Sequence, residues 1–153
     1  MSFRVYEMRR DSKEIPSVKI NCIPFDEQYL EQYKFMYNAA FRPMREALNI
    51  RPFDWYHDSN KILDKASDIF ILTAEKELIG SVACYGNEID DLFVSDSFRH
   101  KGYGKQLLIW AMDNIASCGY NEMVIHVAEW NQSAVQMYKN EGFEIVKTEV
   151  ISV

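Results

Sequence analysis

The run Asp90-Asp91-Leu92-Phe93-Val94-Ser95-Asp96-Ser97-Phe98-Arg99-His100-Lys101-Gly102-Tyr103-Gly104-Lys105-Gln106-Leu107-Leu108 passes from an apolar strand through a short polar loop into an amphipathic helix. The loop turns on Gly102 and Gly104. Glycines let backbone N–H groups crowd around an anion, and a helix N-terminus adds partial positive charge. Arg99, His100, Lys101 and Lys105 bring side-chain charge to the same place. The pattern is an anion cradle, and it is neither of two common ones. A dinucleotide fingerprint needs a third glycine where Leu107 stands. A P-loop needs a glycine in place of Arg99 and a Ser or Thr in place of Gln106.

Around this run the chain reads as one continuous pattern. Residues 3–8 and 17–23 alternate apolar and polar as strands do, with a charged loop from Arg9 to Pro16. Asp26 is the N-cap of a helix from Glu27, whose apolar face is Tyr29, Leu30, Tyr33, Met36, Tyr37, Ala40 and Phe41. Pro43 predicts a break before a second short helix near Met44–Leu48. From Asn49 to Ser67 periodicity fails, in a loop dense in aromatics. Phe35, Phe41, Phe53, Trp55 and Tyr56 are core or pocket-lining residues, with Trp55 and Tyr56 the first choices for a pocket. Asp68–Thr73 and Leu78–Tyr85 form a hairpin about Glu75-Lys76-Glu77, and Glu88–Val94 is the next strand. The helix after Gly104 presents Leu107, Leu108, Ala111, Met112 and Ile115 on one face and closes at Gly119. Strand Glu122–Val127, a helix capped by Asn131 and closed by Gly142, and strand Phe143–Val150 complete the chain. This order predicts a mixed α/β fold with helices on both sheet faces.

At 153 residues the chain is of single-domain size and needs no disulfide or metal staple. Lys and Arg number 17 against 23 Asp and Glu, a net charge of −6, which weighs against nucleic acid or anionic membrane as the main partner. Cys22, Cys84 and Cys118 are widely spaced, which suits free buried thiols in a reducing compartment and no metal site. Met1–Glu7 holds no signal-peptide core, and no apolar run approaches the ~20 residues of a membrane span. A cytoplasmic setting is the expectation.

The glycine loop gains a second half downstream. Arg99-x-x-Gly102-x-Gly104 follows Leu92-x-Val94, and Val127-x-x-x-Asn131-x-x-Ala134-x-x-x-Tyr138-x-x-x-Gly142-Phe143 comes later. In combination these residues resemble the GNAT superfamily of acyl-CoA-dependent N-acetyltransferases. The resemblance covers residues 68–150 as an acyl-CoA-binding core. Residues 1–67 match only in layout, as a variable substrate-side region of the same single domain. It implies a mostly antiparallel twisted sheet in which the strand of Phe93 and Val94 parts from that of His126 and Val127.

What the resemblance implies for the site is specific. Acetyl-CoA would be the cosubstrate, with its pantetheine arm in the gap beside Phe93 and Val94. Its pyrophosphate would lie on the N–H groups of Arg99, His100, Lys101, Gly102, Tyr103, Gly104 and Lys105. Asn131 would contact the cofactor arm, and it is equally a plain helix N-cap. Val94 N–H would be the oxyanion donor, and Tyr138 the acid that protonates the leaving thiolate. An alkylammonium must first lose a proton, and two bases are open: Asp90, where polyamine acetyltransferases carry glutamate, and His126, where ribosomal-protein alanine acetyltransferases carry glutamate. Glu88 and Glu129 are weaker choices. The expected reaction is direct attack by an amine in a ternary complex, the acceptor being a small cationic amine, with a peptide N-terminus as alternative. An acyl-CoA-binding module without turnover is the reading from another class, and a nucleotide-binding protein a third. The C-terminal Val150-Ile151-Ser152-Val153 is a candidate edge for pairing two copies.

Overall fold

Hairpin turns set the register of the sheet. Glu75 and Lys76 both take positive φ (51° and 66°), the two-residue turn whose twist suits its flanking strands, and they join β3 (Ile69–Ala74) to β4 (Glu77–Tyr85). Gly86, at φ 62°, then turns β4 into β5 (Glu88–Val94). The computed structural model describes residues 1–153. Its remaining strands are β1 (Ser2–Asp11), β2 (Ile23–Pro24), β6 (Glu122–Ala128) and β7 (Glu144–Ser152). Its helices are α1 (Leu30–Ala47), α2 (Ser59–Leu63), α3 (Tyr103–Ser117) and α4 (Gln132–Asn140).

The seven strands form one sheet in the order β2-β3-β4-β5-β6-β1-β7. Every neighbouring pair is antiparallel except β5–β6, which α3 connects as a crossover. The N-terminal strand β1 therefore lies inside the sheet, between β6 and the C-terminal β7. Two apolar cores flank the sheet. Leu107, Leu108, Met112, Ile115, Val135 and Tyr138 of α3 and α4 pack on one face. Tyr29, Tyr33, Tyr37 and Ile62, from α1, the turn before it and α2, pack on the other. This is the mixed α/β architecture that the sequence predicts.

Local departures have local causes. Residues 17–22 form no strand, with a bend at Ile20, and only Ile23 and Pro24 pair with β3. The alternation there is real, since Cys22 is buried while Lys19 and Asn21 are exposed, but periodicity reports faces and not partners. Arg9–Asp11 continue β1 instead of looping, with Arg9 paired to Glu7 and Glu122. Pro43 does not break α1. It deprives one carbonyl of its partner while its ring lies on the exposed side, and an Arg42–Glu46 ion pair spans the turn. Inside the aperiodic segment, Asp58 caps α2 by accepting from Asn60 N–H at 2.9 Å.

The aromatics also sort differently from expectation. Tyr56 is only 2% exposed and belongs to the core, its backbone clamped at 2.9 and 3.0 Å by the amide of Asn38. Arg45 and Lys61 both lie against the Trp55 ring, at 4.8 and 5.5 Å from its centroid, and Phe35 faces solvent. Cys22 and Cys84 are buried as expected, whereas Cys118 is exposed.

Gly80 is where α3 meets the sheet most closely. A Cβ there would lie 2.7 Å from the Phe93 carbonyl oxygen and 2.8 Å from Leu107 Cδ1. Backbone cannot yield as a side-chain tip does. Gly80→Ala should therefore lower stability by about 1–3 kcal/mol, read as a reduced urea midpoint.

Candidate active site

The parallel pair β5–β6 is short. It pairs only at Glu88↔Val124 and Ile89↔Ile125, and beyond these residues the strands part. A bulge in β5 accompanies the parting. Ala83 faces Asp90 and Ser81 faces Phe93, so Val82 alone opposes Asp91 and Leu92. Asp91 has φ 50°, a left-handed conformation that costs a residue with a Cβ roughly 1–2 kcal/mol. Two phenols hold it there. Tyr37 OH, from α1, donates to one carboxylate oxygen at 2.9 Å, and Tyr85 OH, from β4, to the other at 2.9 Å. The Asp91 N–H donates to the carboxylate of Asp90 at 2.7 Å.

The gap opens into a cleft of about 680 Å³. Its wall includes Asp90, Phe93, Val94, Arg99, His100, Gly102, Tyr103, Gly104, His126, Asn131 and Tyr138. The structure thus brings together most of the residues selected from the sequence. Lys101 and Lys105 are not on the wall, and the Lys101 ammonium packs over the Phe98 ring at 5.5 Å. Glu129 also stays away, accepting from Tyr6 OH at 2.6 Å.

One end of the cleft is built to receive an anion. Gly102 starts α3 at φ 84°, open to glycine without strain, and offers no side chain to cap the helix. Asp26, Asp58 and Asn131 each cap the turn or helix that follows them. The first helical bond of α3 is Gln106 N–H to Gly102 carbonyl at 3.2 Å, so the donors of Tyr103, Gly104 and Lys105 have no partner within the helix. Arg99 pairs loosely with Asp96, at 3.5 Å between exposed groups.

The middle of the cleft has an unpaired strand edge. Ser95 N–H donates to the Ile79 carbonyl of β4 at 2.8 Å. Alternation along a strand then turns Val94 N–H the other way, toward the side where β6 no longer pairs. Asn131 caps α4, accepting from Ala134 N–H at 3.3 Å, which leaves its amide nitrogen free.

Acid–base groups gather at the far side. Asp90 lies on the cleft wall, reachable by solvent yet enclosed by protein. That enclosure, then the adjacent Asp91 charge, raise its pKa to about 6. Tyr138 is 9% exposed, and burial followed by the charge of Asp90 raises its phenol to about 12. Its hydroxyl makes no hydrogen bond within the chain. His126 stands between two carboxylates, Nε2 at 3.3 Å from Glu7 and Nδ1 at 3.4 Å from Glu88. Phe41, Pro43 and Met44 of α1 form the apolar wall opposite.

A polar residue pair within an apolar strand was the visible trace of the bulge, but nothing in the spacing of Tyr37, Tyr85 or Glu7 announced their partners.

A mostly antiparallel sheet whose one parallel pair parts into a cleft beside an uncapped helix defines a class of α/β domain. Comparison with known proteins narrows it. Residues 29–143 match the Acetyltransferase (GNAT) family, and the chain belongs to that family. Over 66 residues it is 30% identical to an L-ornithine N5-acetyltransferase of Arabidopsis thaliana, a match covering 43% of this chain and 29% of that protein. A GNAT-family acetyltransferase from Colwellia psychrerythraea superposes with a TM-score of 0.75 at 14% identity, over 98% of this chain and 55% of its own. The PaiA N-acetyltransferase from Thermoplasma acidophilum, in complex with coenzyme A, does so at 0.68 and 19%, over 82% and 90%. At such identities the solved structures share the fold. The chain spans less than a third of its curated relative and between 50% and 63% of three larger structures.

Tyr37→Phe removes one donor from an ionised carboxylate. A hydrogen bond of that kind contributes about 1.5–3 kcal/mol, and a fall of that size in unfolding free energy is expected, with unchanged denaturant slope.

Proposed function

We propose that this chain is an N-acetyltransferase that moves the acetyl group of acetyl-CoA directly onto a small cationic amine. The observation that carries the reading is the cleft, with an uncapped helix at one end, a free strand edge in the middle and the Asp90–Tyr138 pair at the other. The residues present suit acetyl-CoA. The α3 donors and the Arg99 and His100 side chains would take the pyrophosphate, and the open edges of β5 and β6 the pantetheine amides. For Lys101 and Lys105 the contribution would come from backbone N–H groups. The Asn131 amide would meet the cofactor arm.

The chemistry follows from charge placement. A carboxylate raised to about 6 is ionised at neutral pH, yet is a better base than an ordinary Asp. Asp90 therefore takes a proton from the bound ammonium. The freed amine nitrogen attacks the thioester carbon, and Val94 N–H meets the oxygen as it gains charge. The C–S bond then breaks and the Tyr138 phenol donates its proton to sulfur. The resulting phenolate recovers a proton from the former amine nitrogen, which must lose it to become the neutral amide, while Asp90 releases its proton to solvent. Asp90 is preferred to His126 because both imidazole nitrogens already face carboxylates, leaving neither free for an amine. Asp90 and Asp91 make that end of the cleft acidic, which supports a cationic acceptor. The partial match to an L-ornithine N5-acetyltransferase points the same way.

A thiol-release assay with acetyl-CoA and a panel of amines tests the reading. Turnover is expected with diamines or basic amino acids. Calorimetric binding of acetyl-CoA without turnover on any amine would leave a binding module and sink the proposal.

Two variants assign the roles. Tyr138→Phe should lower kcat by about 10²-fold while leaving KM for acetyl-CoA near its original value.

Because the carboxylate is the active form, kcat/KM should fall as pH drops below about 6. Asp90→Asn should abolish that limb and His126→Gln should keep it; the opposite pattern would make His126 the base.

A further inference from the structure

A lysine ammonium is ordinarily left in water or, where protein encloses it, paired with a carboxylate. Only Lys34 and Lys65 among the lysines of this chain are half-buried, and Lys34 is paired, 3.6 Å from Glu31. Lys65 forms no ion pair. Its backbone is fixed between α2 and the turn before β3, where its N–H donates to the Ile62 carbonyl at 3.0 Å and its carbonyl accepts from Asp68 N–H at 2.9 Å. The side chain reaches back over two aromatic faces, and the ammonium lies 6.0 Å from the ring centroids of both Tyr56 and Tyr85. Contact with aromatic faces steadies an ammonium without using up its three N–H donors.

The place where it is held adjoins the acidic end of the cleft. Tyr85, one of its two platforms, donates to the Asp91 carboxylate at 2.9 Å. Burial and the charge of Asp91 raise the Asp90 carboxyl, Glu88 adds to them, and Lys65 is the cation that opposes them. The Asp91 oxygens accept from two phenols, and Asp90 accepts from the Asp91 N–H. Lys65 thus stands beside the two carboxylates without closing on either. A site for a purely cationic amine gains nothing from a fixed cation next to its carboxylates, because like charges repel. A site for an amine that also carries a carboxylate needs both signs a short distance apart.

Resting on the acetyl-transfer reading above, we propose that Lys65 binds a carboxylate of the acceptor, which makes the acceptor an amino acid with a basic side chain and not a plain diamine. Asp90 takes the ammonium that reacts, and the Lys65 ammonium donates to the acceptor's carboxylate. Lys65 is in this way a specificity residue, remote from the thioester and selecting which amine is presented to it.

The test compares kcat/KM for matched acceptors, L-ornithine against putrescine and L-lysine against cadaverine, each pair differing by one carboxyl group. The original chain should prefer the amino acid of each pair by about tenfold or more, as a charge-assisted hydrogen bond provides. Lys65→Met keeps the stem over the two rings and removes the charge. It should raise KM for ornithine and lysine about tenfold with kcat little changed, and it should improve the diamines, since a repelling cation is gone. Lys65→Arg should restore much of the original preference. A residue that only packs would not divide acceptors by their carboxylate. If the best acceptor of the original chain lacks a carboxylate, or if Lys65→Met leaves the preference unchanged, the role of Lys65 is overturned while acetyl transfer stands. Absence of turnover on every amine overturns acetyl transfer itself, and the role of Lys65 with it.

Discussion

The site depends on one strained residue. Asp91 sits at φ 50° within β5, and its carboxylate is held by Tyr37 from α1 and Tyr85 from β4, each at 2.9 Å. The conformation is unfavourable by itself, and two charge-assisted hydrogen bonds offset it. The bulge it creates has three effects. Two residues of β5 oppose one of β4, so the strand bends. The Asp91 N–H turns onto Asp90 and fixes that carboxylate on the cleft wall. The strand resumes its alternation with Ser95 bonded to β4 and Val94 N–H facing the gap. One anchored side chain thus connects the packing of α1 to the position of the Asp90 carboxylate and the open strand edge.

Asp91 also ties the N-terminal helix α1 to the strand that lines the cleft. Tyr37 lies in the aromatic core with Tyr33, Tyr56 and Phe93, the last a residue of β5 itself. Rearrangement of α1 would act on Phe93 by packing and on Asp91 by hydrogen bonding. Both contacts lie within three residues before Val94, which carries the unpaired N–H. Substitutions on the inward face of α1 should therefore reach the cleft although most of that face never touches it.

Sequence patterns revealed what local physics dictates. The hairpin turn at Glu75-Lys76, the α3 and α4 boundaries and their inward faces follow from turn chemistry, capping and helical period, and each was legible. The group of residues around the cleft, Arg99, Gly102, Asn131 and Tyr138, was legible through the family resemblance rather than through local physics. Less legible was anything set by partners far along the chain. Residues 17–22 alternate like a strand but no strand reaches them. Pro43 reads as a breaker, yet a single lost bond on an exposed face is tolerated by a helix with a packed face. Tyr56 lies in an aperiodic loop and is nonetheless buried, since Asn38 pins its backbone. The Glu7–His126–Glu88 row needs β1 between β6 and β7, and only the sheet order shows that.

Charge is distributed along the cleft rather than averaged over the chain. The net charge of −6 says little about an anion site, because the cradle at Arg99–Lys105 is made of helix donors and a few cations. Asp90 and Asp91 lie at the opposite end, and each favours what the other end repels. An anionic ligand entering by the acidic end would meet two carboxylates, and a cationic one entering by the cradle would meet the start of α3 and Arg99. The polarity of the cleft therefore favours anionic groups at one mouth and cationic groups at the other. In the proposed reaction the same carboxylate both attracts the cation and takes its proton. An ordinary aspartate would hold an ammonium well and deprotonate it poorly. Raising Asp90 by enclosure and by the neighbouring charge moves it toward the second task without discharging it at neutral pH. Asp91 is thus used twice, once as the geometric anchor of β5 and once as the charge that makes its neighbour a better base.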